Sequence, residues 1–156
     1  MARLNPYHFR TDWTFSAPIQ RTFDVVTDLR MYPAIWRDFA RVTLLRGDGR
    51  GAGSAFECET RGALPYTLHY TLEVLRAEQP QLIQLRSYGD LVGTGRWDFT
   101  ELGGGRTAAV YHWDVATTRP LLNLVAPLAR GLMARNHDEV MARGYRALRP
   151  RVEAVL

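Results

Sequence analysis

The first patterned stretch is residues 8–17, HFRTDWTFSA, where side chains alternate: Phe9, Thr11, Trp13 and Phe15 share one face, and Arg10, Asp12, Thr14 and Ser16 the other. Strict alternation predicts a half-buried strand. The period then changes. In SAPIQRTFDVVTDL, Ile19, Phe23 and Val26 recur at spacings of four and three, an apolar stripe that suits a helix. Ser16 or Ala17 stands ahead of Pro18, and proline fits a first helical turn. Pro33 is expected to end this helix and to permit only a short second one, carrying Ile35, Trp36 and Phe39. The tryptophan in so short a connection, MYPAIWRDF, is expected to turn inward, either plugging one end of the interior or touching what it holds.

From residue 40 to 117 the pattern is strands and turns: ARVTLLRG, SAFECETR, TLHYTLEVLRAE, QLIQLRSY, TGRWDFTEL and RTAAVYHWDVATT, separated by GDGRGAG, GALPY, QP, GDLVG and GGG. Short turns between strands predict antiparallel hairpins. The tail returns to helical spacing. Pro120 and Pro127 each suit a first turn, so a short helix (120–126) and a long one (127–148) are expected, with Pro150 as the stop.

Alternation assigns the faces. Phe56, Cys58, Thr60, Leu68, Tyr70 and Leu72 fall on one side, with Val74, Trp97, Phe99, Tyr111, Trp113 and Val115. Glu57, Glu59, Arg61, His69, Thr71 and Glu73 fall on the other, with Arg96, Asp98, His112 and Asp114. Every charge lies on one side, so the sheet is expected to be wet outside and apolar inside. The long C-terminal helix is the natural cover for the apolar face. A one-residue slip in register would swap the faces.

The strand into APIQRTFDVVTDLRMYPAIW, the GTGRWDF strand, the VYHWDV strand and the helix NHDEVMARGYRAL follow one another in an order that resembles the START-like superfamily (helix-grip, SRPBCC), and within it the polyketide cyclase/dehydrase-like proteins. The resemblance covers nearly the whole chain. It implies an α+β helix-grip fold: a curved seven-stranded antiparallel sheet wrapped around a long C-terminal helix, with two short helices between strands 1 and 2. It also implies a hydrophobic cavity between sheet and helix, of the kind relatives use for lipids, quinones or polyketides. Some relatives fold and dehydrate polyketides.

Composition narrows the reading. The chain has 156 residues, 46% hydrophobic and 23% charged, which fits a single globular domain. Its expected limits are residues 8–150, after a disordered lead (1–7) and before a short tail (151–156). No apolar run approaches the ~20 residues that span a bilayer, and MARLNPYHFR lacks the apolar core of a signal peptide. The lone Cys58 excludes an internal disulfide and points to a reducing, cytoplasmic setting. The net charge is +4 and every basic residue is arginine. The arginines are scattered among acids with no recognition helix, so no nucleic-acid partner is expected. The expected partner is a hydrophobic small molecule, with no cofactor, no stable membrane insertion, and a monomer or homodimer.

The inward rings are the main candidate chemistry: Trp13, Phe15, Phe56, Tyr70, Trp97, Phe99, Tyr111 and Trp113, with Trp36 from the helical connection. Aromatic rings bury large areas, and small-molecule sites are mostly apolar with a few polar anchors. Ordinary core packing must claim several of them. On the helix, Met133, His137, Met141 and Tyr145 form one stripe, and Leu132, Asn136, Val140 and Gly144 its neighbour. Leu132, Met133, Asn136 and His137 therefore join the binding candidates. An imidazole facing an apolar cavity needs a partner. It could find a ligand oxygen, a backbone carbonyl, or an acid–base role with Tyr70 or Tyr111.

Other features lead less far. His69, His112, Asp114, Asp98 and Glu57 lie on the wet face, the four histidines lack zinc spacing, and no metal site is expected. Glycines 47–53 precede a strand rather than a helix, so a mobile hairpin turn, able to gate the cavity, is preferred to a phosphate loop. Gly93 and Gly95 suggest a bulge or a sharp bend. Cys58 faces inward with no nearby base and reads as an inert thiol. Three functions stay open: a small-molecule binder, a cyclase or dehydratase in the same cavity, and, last, a protein-interaction module.

Overall fold

Alternation and helical spacing resolve into β1 (Tyr7–Phe15), α1 (Ile19–Val26), a 3-10 turn (Leu29–Met31), α2 (Tyr32–Ile35), β2 (Phe39–Arg46), β3 (Ala55–Thr60), β4 (Leu68–Glu78), β5 (Leu82–Gly89), β6 (Leu91–Gly103), β7 (Arg106–Thr117) and α3 (Ala126–Val152). The structure, a computed structural model, describes residues 6–62, 66–119 and 126–154, the side chains of 126–129 excepted. The strands form one seven-stranded sheet in the order β1-β7-β6-β5-β4-β3-β2, every neighbour antiparallel. This is the helix-grip arrangement.

Boundaries differ where packing overrides local signals. β1 starts at Tyr7, inside the stretch expected to be a lead, and Tyr7 is buried. Pro18 is itself the N-cap of α1. That helix ends at Val26, well before Pro33, which lies in the first turn of α2 and helps start it. The expected helix 120–126 falls outside the described residues apart from Ala126, the first residue of α3. Pro150 lies within α3 instead of stopping it. The final turn is held from outside: the Arg21 guanidinium donates to the carbonyl oxygens of Val152 and Arg151, both at 2.8 Å. Arg21 thus satisfies carbonyls that every helix end leaves without partners, and Val152 is fully buried beside α1.

The faces follow the alternation. Phe56, Cys58, Leu72, Val74, Trp97 and Phe99 are buried, whereas Glu57, His69 and Arg96 are exposed. On the outer face Arg10–Asp12, Arg76–Glu78 and Arg96–Asp98 pair along their own strands, Arg41–Glu59 pairs between the neighbouring β2 and β3, and Arg46–Glu73 reaches from β2 over β3 to β4. The arginines here are largely compensated by carboxylates.

β6 and β7 stay in register from Leu91 to Glu101, with no bulge at residues 93–95. Gly93 is needed because a Cβ there would lie 2.0 Å from the Asp114 carbonyl oxygen. Gly95 has no Cβ to meet the Trp113 ring, which a side chain would approach to 2.9 Å. The 47–53 loop is tied down rather than loose. The Asp48 carboxylate accepts from the backbone N–H groups of Arg50 (2.8 Å) and Gly51 (2.9 Å) and from the Ser54 hydroxyl (3.2 Å).

Candidate functional site

The interior is solid at one end and hollow at the other. Towards the C-terminal half of α3, Trp13 and Phe15 pack on Tyr145, with ring centroids 5.7 and 5.2 Å away, and Phe23 meets Phe99 edge-on at 5.2 Å. Towards its N-terminal half a cavity of about 140 Å³ opens between sheet and helix. That volume is comparable to the ~150 Å³ that accepts a benzene ring in an engineered protein core.

Alternation places the cavity's sheet wall. Tyr70 and Leu72 come from β4, Trp97 from β6, and Tyr111, Trp113 and Val115 from β7. Trp97 and Tyr111 are cross-strand neighbours, stacked at 4.5 Å with 19° between their planes. Met133, Asn136, His137, Val140 and Met141 of α3 close the opposite side.

Trp36 forms part of the wall where hollow meets solid. It is buried, lines the cavity, and touches Trp13 on the solid side at 6.3 Å. Its indole N–H donates to the Val140 carbonyl at 3.1 Å. The tryptophan in MYPAIWRDF is thus packed in the core and borders the cavity.

Eight of the expected residues border this space: Trp36, Tyr70, Trp97, Tyr111, Trp113, Met133, Asn136 and His137. Trp13, Phe15, Phe56 and Phe99 are buried in packed core and do not line it. Leu132 is corrected outright, being 63% exposed. A row at spacing four turns about 40° per step on a 3.6-residue helix, so two steps back from Val140 carry Leu132 off the inward face. The rows missed Tyr7, Leu29, Tyr32, Asp38, Phe39 and Arg61. Tyr7 and Phe9 share the parity of Trp13, and that signal was available.

Arg61 also departs from the alternation. β3 ends at Thr60, so strand parity no longer governs the next residue. Arg61 is exposed yet borders the cavity, which marks the mouth. Its backbone N–H donates to the Asp38 carbonyl oxygen at 3.0 Å. The Asp38 carboxylate is directed elsewhere, to a two-pronged pair with Arg143 at 2.8 and 2.9 Å. Only 3% of the Asp38 side chain is exposed.

Three ionisable groups of the wall, Tyr70, Tyr111 and His137, are held neutral at pH 7 by burial. Burial raises the Tyr70 and Tyr111 phenols far above their usual range. Burial also pushes the His137 imidazole down to about 4. His137 stacks on Phe9, centroids 4.0 Å apart and planes 13° from parallel. Its Nε2 is buried with no hydrogen-bond partner among the described residues. Cys58 is buried and its thiol is pushed up to about 12, so it stays protonated. The polar outer-face residues do not converge: His8 bonds Asp114 at 2.7 Å, while His112 stands 3.7 Å from Asp98. Among the described residues no group of three or more His, Cys, Asp or Glu could hold a metal ion. No helix among them is long and apolar enough to cross a membrane.

A family described as polyketide cyclase / dehydrase and lipid transport matches residues 7–153. Comparison with curated proteins gives no match. Among solved structures, a Thermus thermophilus protein superposes with a TM-score of 0.72 at 18% identity, covering 94% of this chain and 97% of its own. A START superfamily protein from Mycobacterium smegmatis gives 0.72 at 17% identity, covering 93% and 96%. The Zhui aromatase/cyclase from a Streptomyces gives 0.63 at 19% identity, covering 91% and 96%. At these identities the likeness is one of fold.

Proposed function

The chain belongs to the polyketide cyclase/dehydrase and lipid transport family, and on that premise we propose that it binds a small apolar molecule in the cavity between sheet and α3. One observation carries this reading: the wall is mostly aromatic and aliphatic, burial keeps Tyr70, Tyr111 and His137 neutral at pH 7, and Asp38 is paired with Arg143, which leaves Arg61 at the mouth. An apolar body gains by leaving water for such a space. The ligand contacts are Trp36, Tyr70, Trp97, Tyr111, Trp113, Met133, Asn136 and His137.

A cyclase or dehydratase is the second reading, supported by His137, Tyr70 and Tyr111 bordering one cavity. The shifted pKa values weigh against it. A general acid or base works best with a pKa near the operating pH, and burial moves all three groups away from neutrality.

Titration with a panel of apolar compounds tests the binding reading. Trp36, Trp97 and Trp113 line the cavity, so saturable changes in tryptophan emission are expected. Failure of every compound to bind would overturn it. Native mass spectrometry of protein from its own host would then identify the bound molecule. Turnover of a candidate polyketide that is abolished by His137→Ala would instead favour the enzyme.

A further inference from the structure

Arg61 is the one charged side chain on the cavity wall left without a counter-charge among the described residues. Asp38 also lines the cavity and is next to Arg61 through the 3.0 Å backbone bond, yet both of its carboxylate oxygens go to Arg143. Among the described residues, the one acid that lines the cavity is spent on another arginine. Many of the outer-face arginines, by contrast, have a carboxylate within reach.

Deeper in the cavity the situation reverses. The groups there are mostly rings and aliphatic chains, with neutral phenols, a neutral imidazole, the Asn136 amide and the hydroxyls of Thr60 and Thr117, and none of these carries a positive charge. A buried anion without a counter-charge is expensive, so an anionic group would stay at the mouth while the apolar body goes in. A guanidinium is a planar fork that matches a carboxylate with two parallel hydrogen bonds. One guanidinium balances one negative charge, which favours a carboxylate over a phosphate monoester, whose charge approaches −2 at neutral pH.

We infer, resting on the binding reading above, that the ligand is an amphipathic carboxylic acid, its apolar body of about one ring in the cavity and its carboxylate on Arg61 at the mouth. Arg61 then sets both the ligand's class and its orientation.

Calorimetric titration of the whole chain at pH 7 and low salt tests this with 3-phenylpropionate, its neutral counterpart 3-phenylpropanol, and phenyl phosphate. The acid is expected to bind about fivefold more tightly than the alcohol, because a charge-assisted bond at an exposed rim is modest. The preference should shrink as salt is raised. Arg61→Gln should bring the ratio to about one, and Arg61→Lys should keep part of it. Arg61 is exposed, so both variants are expected to fold.

Equal binding of acid and alcohol by the unaltered chain would overturn the inference. So would a preference that survives in Arg61→Gln, or tighter binding of phenyl phosphate than of the acid. If none of the three binds but naphthalene or decanol does, this inference fails and the binding reading stands. If no apolar compound binds, both fail.

Discussion

The indole of Trp36 lies directly on Gly144 of α3: a Cβ at that glycine would come within 2.4 Å of the ring. The glycine is the recess that lets Trp36 reach both the core and the cavity. Gly144→Ala should therefore destabilise the protein, although alanine is the better helix former by about 1 kcal/mol. The overpacking cost of ~1–3 kcal/mol is expected to win. Chemical denaturation measures the sign. In a Trp36→Leu background, itself destabilised by the lost packing, the further cost of Gly144→Ala should shrink or vanish, because the clash is gone.

The pairing of Asp38 with Arg143 joins the α2–β2 connection to α3 in a largely buried setting. Removing one partner of such a pair leaves the other desolvated and uncompensated. Asp38→Asn is expected to cost about 3 kcal/mol. The double variant Asp38→Asn with Arg143→Met should be closer to the parent than the single variant is. Equal losses in both would show that the ion pair is not the source.

His137 links stability to pH. Its pKa is about 4 in the folded chain against 6.5 for an unperturbed histidine, because burial disfavours the cation. Above pH 6.5 both states are neutral there, and the group makes no pH-dependent contribution. Between pH 6.5 and about 4 the unfolded chain takes up a proton that the folded chain refuses, so stability falls with falling pH across that window. The loss from this residue is about 2 kcal/mol after allowing for partial exposure. His137→Leu should flatten that part of the profile. It should also raise the midpoint at pH 7, because it removes a buried nitrogen that lacks a partner.

The 47–53 loop does not line the cavity, and Asp48 holds it in place. Asp48→Ala is expected to lower the denaturation midpoint while leaving the affinity for apolar ligands unchanged. A change in ligand on-rate would return the loop to the role of a gate.

Much of the cavity's sheet wall was legible in the alternation. Tyr70, Trp97, Tyr111 and Trp113 follow from parity alone, because a strand has only two sides. Leu132 was misplaced because a row at spacing four drifts around a helix. Asp38 and Arg61 gave no signal, since each lies outside regular structure and parity does not extend past a strand end. Pro150 misled because a local preference is small beside a helix end that α1 caps through Arg21, and Pro33 because proline suits the first turn of a helix as well as it ends one.

Periodicity along the chain was enough to say which side of most strands is apolar and in what order strands and helices follow, and the helix-grip fold came from the resemblance those ordered motifs carry. Which rings fill space and which border it was settled by long-range packing. That division depends on how far α3 has turned at each residue, on whether Gly144 admits Trp36, and on which arginine Asp38 faces. These are contacts between residues about 100 positions apart, and no local pattern encodes them.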